Sequence, residues 1–434
     1  MSKWTLRSIC ATTAAAMLWA AVFAPSGLPF AATAAHAQSA KPDLKSQRPA
    51  PARADKSPSP SGGAAASAHQ LPPRAPFTAA DDAAAIVPGM PDARFWADSQ
   101  ADFAKALPSQ PGPWLILSTG GADGAFGAGL LNCLSAAGNR PDYAVVTGVS
   151  TGALMAPFAF AGSHYDAALQ AAYTQISAAD IFEAGSTGES FVDSWPLKDL
   201  IAKEITPQLL ADIAAEHRRG RRLFVITTDI DAERSVVWNM GAIAVHGGPD
   251  ALNLFRTVLL ASGSIPGAFP PVLIDVEGNG KRFAEMHVDG GVGGQFFVAP
   301  AALMESASGY RIPATQLYIV VNSSLEPEFA VVERSTPMIL TQAVGMAVKF
   351  DLRLMLDRTF VAAKNSGIGF NVATIPQNFN APSRGAFDPA YMRALFSAGY
   401  DQGKSANPFG AAPPPIAGGS ANESNDVEKA GADK

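Results

Sequence analysis

Cysteine is nearly absent from this chain: Cys10 and Cys133 are its two. Cys10 lies in a leader that reads as removable, and it precedes the apolar run there, so it is not placed to carry a lipid anchor. Cys133 then has no internal partner, which excludes a disulfide-stapled fold. Its Ala/Leu-rich surroundings give it the reading of a buried structural thiol. Charge is sparse too: charged residues make up 16% of the chain, and acids exceed bases by 38 to 32, for a formal net charge of −6. Such a balance offers no basic footprint for nucleic acid. Beyond the leader no run of 18 apolar residues occurs, so no later membrane span is expected.

The two ends are read from composition. Residues 1–37 carry Lys3 and Arg7, then an apolar run from Ile9 to Phe23, then small residues ending Ala35-His36-Ala37. That is the tripartite form of a secretory signal, so export to the periplasm or the medium is expected. An uncleaved N-terminal anchor is the alternative. Residues 38–80 are a Pro/Ala/Ser-rich leader with almost no large apolar side chain, expected to be a disordered tether because little in them can offset ordering entropy. Bases outnumber acids there, which allows a weak contact with an anionic membrane surface. Residues 404–434, with Pro413-Pro414-Pro415 and Gly418-Gly419-Ser420, read as a disordered tail. Between the ends, 81–403 is expected to form one domain without internal repeats. Nothing in the sequence speaks to oligomeric state.

Within that domain, short apolar runs at Trp114–Leu117, Tyr143–Val146, Arg222–Thr227 and Gln316–Val321 read as strands, and helical stretches follow several of them. The alternation predicts an α/β layered sandwich with a mostly parallel central sheet flanked by helices. In such sheets ligands sit beyond the carboxyl ends of the strands. Two glycine-rich turns fall there. One is Gly148-Val149-Ser150-Thr151-Gly152, a strand, a tight turn and a helix with a serine at the bend, the form of a nucleophile elbow. The other is Ser118-Thr119-Gly120-Gly121-Ala122-Asp123-Gly124, whose amides can face a developing oxyanion. The aromatic-bearing stretch from Ile181 to Leu200 reads either as a lid beside the site or as a packed surface excursion.

A serine hydroxyl needs a base within hydrogen-bond reach. Chain order in an α/β-hydrolase triad would call on His246 or His287 with an acid such as Asp229 or Asp231, yet neither histidine lies in a segment with the look of a catalytic loop. The other candidate is Asp289 in Val288-Asp289-Gly290-Gly291, at the end of an apolar strand and followed at once by glycines. No cluster of acids or histidines at ligand spacing accompanies it, which speaks against a metal ligand role, and a serine, a carboxylate base and a glycine loop together need no organic cofactor.

Together these residues resemble the patatin-like phospholipases, or acylhydrolases. That family carries a glycine-rich loop after its first strand, a GxSxG elbow and a DGG or DGA element, and all three occur here in that order, from about Leu115 to Gly291. Ala261-Ser262-Gly263-Ser264-Ile265-Pro266-Gly267-Ala268-Phe269-Pro270-Pro271-Val272 also looks like the family's segment before the DGG element. The resemblance implies Ser150 as nucleophile, Asp289 as base, and Gly120, Gly121, Ala122 and Gly124 as the oxyanion loop. Gly148 and Gly152 would shape the elbow, and Gly290 and Gly291 the DGG turn. The implied activity is hydrolysis of lipid acyl esters, phospholipids included. Thr119 stands where the family usually has a glycine, and Asp123 where a base is common. These departures favour acyl-ester hydrolysis over phosphate head-group preference. They also keep open a catalytically silent exported lipid-binding protein, while His246 and His287 keep open a Ser-His-Asp esterase.

Overall fold

The computed structural model describes residues 73–415, apart from 186–187, 305–310, 328 and 330. The expected signal at 1–37, most of the leader and the end of the tail lie outside the described residues. Helix α1 is Ala79–Ala83, followed by β1 (Arg94–Trp96), α2 (Gln100–Ala106) and β2 (Gly112–Leu117). Then come α3 (Gly124–Ala136), β3 (Val145–Val149), α4 (Thr151–Ala161), α5 (Asp166–Thr174), β4 (Glu183–Ala184) and β5 (Val192–Asp193). They are followed by α6 (Trp195–Glu204), α7 (Pro207–Arg218), β6 (Arg222–Asp229), β7 (Arg234–Asn239), α8 (Met240–His246) and α9 (Gly248–Ser262). The remainder is β8 (Val272–Gly278), β9 (Lys281–Asp289), α10 (Ala301–Met304), β10 (Ala314–Val321), α11 (Thr336–Ser366), β11 (Gly369–Thr374) and α12 (Pro389–Gly403).

The main sheet runs β1-β7-β6-β3-β2-β10-β11, and its stretch from β6 to β11 is parallel throughout. Antiparallel strands β7 and β1 extend one side, while β9 joins the far end of β6 and carries β8. This is the mostly parallel, helix-flanked α/β sheet expected from the alternation of runs. Along β2 the side chains alternate in the period of a pleated strand. Leu115 and Leu117 enter a core with Phe126, Met155 and Phe255, whereas Trp114 and Ile116 enter a second core with Phe224, Leu352 and Phe370 on the other face. Burial on both faces is why these strands read as unbroken apolar runs.

The ordered unit reaches past residues 81–403 at both ends. Before residue 81, Arg74 Nη2 donates to Asp231 Oδ1 at 2.7 Å, Phe77 stacks on Phe283 with ring centroids 4.4 Å apart, and Thr78 caps α1. After 403, Phe409 packs edge-on against Tyr318 and Gly410 bridges to Val372. Single aromatic contacts of this kind leave little trace in a Pro/Ala-rich composition. The stretch from Ile181 to Leu200 is a small hairpin of β4 and β5 leading into α6, with Val192 and Leu197 buried and Phe191 and Trp195 exposed. Cys133 is buried in α3.

Candidate active site

Strand β3 is wholly buried and ends at Ser150, whose backbone sits at φ 56° and ψ −123°. For a residue with a Cβ this conformation is strained, and it is the bend that turns a strand into the next helix with its side chain held out. The flanking glycines are required by contact: a Cβ on Gly148 would lie 2.3 Å from the carbonyl oxygen of Gly152, and one on Gly152 would lie 2.4 Å from that of Leu117. The bend is pinned from behind, because the Ser150 amide donates to Ser262 Oγ at 3.0 Å and that hydroxyl donates to the Ile226 carbonyl at 2.7 Å.

Asp289 arrives from the opposite direction at the end of β9. Its amide donates to the Ser264 carbonyl at 2.8 Å, and its Oδ1 accepts from the Gly291 amide at 2.7 Å. Oδ2 accepts from Ser150 Oγ at 2.6 Å. Both residues are buried. Loss of water pushes the Asp289 carboxyl up to about 7, against the hydrogen bonds from Ser150 and Gly291 that favour the ionised form. A carboxylate held near neutrality can both take and return a proton.

The glycine loop packs against the elbow and the DGG turn. Gly120 adopts φ 157°, and a Cβ there would meet the Asn322 carbonyl oxygen at 2.2 Å. A 3-10 turn at Gly121–Asp123 runs into α3. The first amides of such a turn have no intrahelical partner and carry the positive end of the helix dipole. Contact with the DGG turn is direct, since a Cβ on Gly291 would meet Thr119 Cγ2 at 2.9 Å. Thr119 Oγ1 donates to Gln295 Oε1 at 2.7 Å and its amide to the Gln295 carbonyl at 2.9 Å, while Gln295 Nε2 donates to the Gly291 carbonyl at 2.9 Å. Asn322 bonds both Ser118 and the Gly127 amide. The Asp123 carboxylate is occupied, accepting from the Tyr391 hydroxyl at 2.8 Å.

Neither candidate histidine is bonded to Ser150. His246, at the end of α8, pairs with Asp92 at 2.8 Å. His287 is fully buried, with Nδ1 2.9 Å from Thr227 Oγ1 and Nε2 3.0 Å from Glu285 Oε2. It belongs to a buried polar group in which Asp229, Glu285 and His287 each offer a ligand-type atom within 4.8 Å of the others. These are the described residues best placed to hold a cation, although Arg94 already pairs with Glu285 and both ring nitrogens of His287 have partners. Pairing of β6 with β9 brings the group together, so linear spacing could not reveal it. Ser262 lies in the family-like segment but carried no role there, Gln295 follows the DGG turn by four residues, and Asn322 and Tyr391 reach the site from distant parts of the chain with no motif of their own.

Residues 115–302 match the family model "Patatin-like phospholipase". No curated protein matches the chain. Among solved structures it is similar to VipD from Legionella pneumophila, at 12% identity and a TM-score of 0.35, over 68% of this chain and 66% of that one. The elbow, the glycine loop and the DGG turn all fall within the matched segment. The segment 115–302, less than half of the chain, is thus similar to the patatin-like phospholipases, a family of hydrolases that act on ester bonds.

Proposed function

We propose that this protein is a serine acylhydrolase of lipid acyl esters, with Ser150 as nucleophile and Asp289 as its base. The observation that carries the reading is the 2.6 Å hydrogen bond from Ser150 Oγ to Asp289 Oδ2 at a strained bend. Asp289 takes the hydroxyl proton as Oγ forms a bond to the ester carbonyl carbon, whose oxygen becomes an oxyanion facing the amides around Gly121 and Ala122. One such donor is typically worth roughly 3 to 4 kcal/mol in the transition state. Collapse breaks the bond to the alcohol oxygen, which leaves with the proton from Asp289, and an acyl-Ser150 ester remains. Water then gives a proton to Asp289 and attacks that ester, and release of the carboxylic acid returns the proton to Ser150. No step calls on a metal or an organic cofactor.

Acyl esters in general are favoured over a phosphate-directed substrate, because the loop carries Asp123 in place of a base and the Tyr391 hydroxyl holds its carboxylate. Residues 1–37 are proposed as an export signal that places this activity in the periplasm or beyond it. The test is hydrolysis of p-nitrophenyl esters from short to long chain, with divalent cations chelated, by the wild type and by Ser150→Ala. Activity that vanishes in the variant, together with fluorophosphonate labelling of Ser150, is the expected result. Absence of both turnover and labelling would overturn it in favour of a silent lipid-binding protein.

A further inference from the structure

Helix α11 has 31 residues and so is about 46 Å long at 1.5 Å per residue. The strand it precedes, β11, has six residues and spans about 20 Å. The helix is therefore far longer than the sheet is deep, and its contacts show which end is in excess. Its second half lies on the sheet, with Leu352 and Leu356 buried in the second core, Phe360 against Phe370, and the chain entering β11 just after Ser366. Arg353 donates to the Leu325 carbonyl, just past the carboxyl end of β10. The turns before Leu352 thus run toward and past the carboxyl edge of the parallel strands, the edge that holds Ser150 and Asp289, with Lys349 donating to the Glu326 carbonyl on the way.

That arm is largely apolar, and although Thr341 is buried, much of the rest is exposed among the described residues. From Thr336 to Val348 it contains no charged residue. Every residue from Ala343 to Val348 is exposed, including Val344 at 47% and Met346 at 49%, and Phe350 beyond them is 65% exposed. A helical stretch that is apolar all round is found in cores or in lipid rather than in water. The arm is too short to cross a bilayer, and among the described residues no helix is long and apolar enough to do so. Met355, further along the same helix, lies against Gly294 and its sulfur accepts from the Gln295 amide at 3.3 Å, while Val292, three residues after Asp289, is 56% exposed.

We infer that the arm from Thr336 to Phe350 docks on a lipid surface and holds the mouth of the site against it, so that acyl chains pass to Ser150 by way of Met355 and Val292. The inference rests on the acylhydrolase reading for its purpose, though not for its binding event. A bilayer is favoured over a second copy of the chain because the arm shares its edge with the site. A protein partner seated on that edge would cover the opening, whereas a lipid surface supplies what must enter it. Burial of such a face at the headgroup boundary is how a helix lies in a membrane without spanning it.

The test uses full-length Ser150→Ala protein, so that vesicle binding is read without turnover, with vesicles of phosphatidylcholine and phosphatidylglycerol. Adding Val344→Glu, Met346→Glu and Phe350→Glu, all at exposed positions, should lower partition by at least about tenfold with an unchanged far-UV circular dichroism spectrum. A separate Phe350→Trp variant should shift its emission to the blue on vesicles and be quenched by brominated lipid. In the active protein the three Glu substitutions should slow hydrolysis of vesicle lipid and leave that of a soluble short-chain ester unchanged. Equal partition with and without the substitutions, or an emission at position 350 that vesicles do not alter, would overturn the inference. So would a dimer that the substitutions dissociate while vesicle binding is unaffected. Arm-dependent binding by a protein that hydrolyses no ester would sustain the docking and remove the catalytic reading.

Discussion

Ser150 donates to Asp289 across 2.6 Å, although 139 positions separate the two residues in the chain. The register of one strand explains the meeting. On β6, Ile226 pairs with Val149, the last residue before Ser150, and the next residue, Thr227, pairs with Asp289. Strand β3 stops where β9 begins to use the same edge of β6, arriving antiparallel. The serine and the aspartate are therefore held by adjacent buried positions of one strand rather than by two independent loops.

The first prediction concerns pH. Asp289 must be ionised to accept the Ser150 proton, and burial pushes its carboxyl up to about 7. On a soluble ester, kcat/KM should be flat above that value and fall by about tenfold per pH unit below it. A profile still flat at pH 5 would remove Asp289 as the base.

Stability should show the opposite trend. The folded-state pKa of Asp289 lies above the unfolded value, so its contribution to stability is complete below about pH 4 and is lost as pH rises through about 7. Asp289→Asn, which cannot ionise, should match the wild type in Tm near pH 4 and exceed it at pH 8. Its turnover should drop by at least about a hundredfold. Thermal unfolding at the two pH values, with assays alongside, checks both statements.

Gly290 has no room for a side chain, because a Cβ there would lie 2.3 Å from the Ile226 carbonyl oxygen. Gly290→Ala should therefore displace the turn that carries Asp289, costing about 2 kcal/mol or more in stability and most of the activity. Urea unfolding and ester hydrolysis would measure the two effects; an unperturbed Tm would contradict the packing argument.

Ser262 positions the elbow without touching the reacting atoms. Ser262→Ala would strip the buried Ser150 amide of its acceptor, at a cost of about 1–3 kcal/mol. The loss should appear in kcat rather than in KM for a soluble ester, since the substrate surface is untouched. An effect confined to KM would point to a different role.

His246 and His287 separate the dyad from a triad. His246→Gln removes a surface pair with Asp92 and should leave kcat/KM within about twofold of wild type. His287→Ala would remove one hydrogen-bond partner each from buried Glu285 and Thr227, which keep Arg94 and Trp238, and would leave a cavity, so it should destabilise the fold by about 2 kcal/mol or more. Folded His287→Ala protein should still be labelled at Ser150 by a fluorophosphonate. Loss of labelling without loss of fold would favour a triad.

The chain alone determined its layered α/β class, because strands buried on both faces must be unbroken apolar runs and the helices between them keep their own period. It also determined where the bends lie. Gly148, Gly152, Gly120 and Gly290 stand where a Cβ would strike backbone, and steric demands of that kind are local enough to appear as motifs. Which group stands beside the serine was a tertiary decision, since two strands with no sequence relation had to take consecutive positions on β6. The same pairing buried His287 against Thr227, away from the serine. Tertiary structure also decided that Asp123 is held by Tyr391, and that residues 73–80 and 404–415 belong to the folded unit through single aromatic and backbone contacts. The excess length of α11 over the sheet was likewise beyond reach of periodicity. An apolar helical run reads the same whether a core or a lipid surface covers it, and only the place where the packed part of the helix ends distinguishes the two.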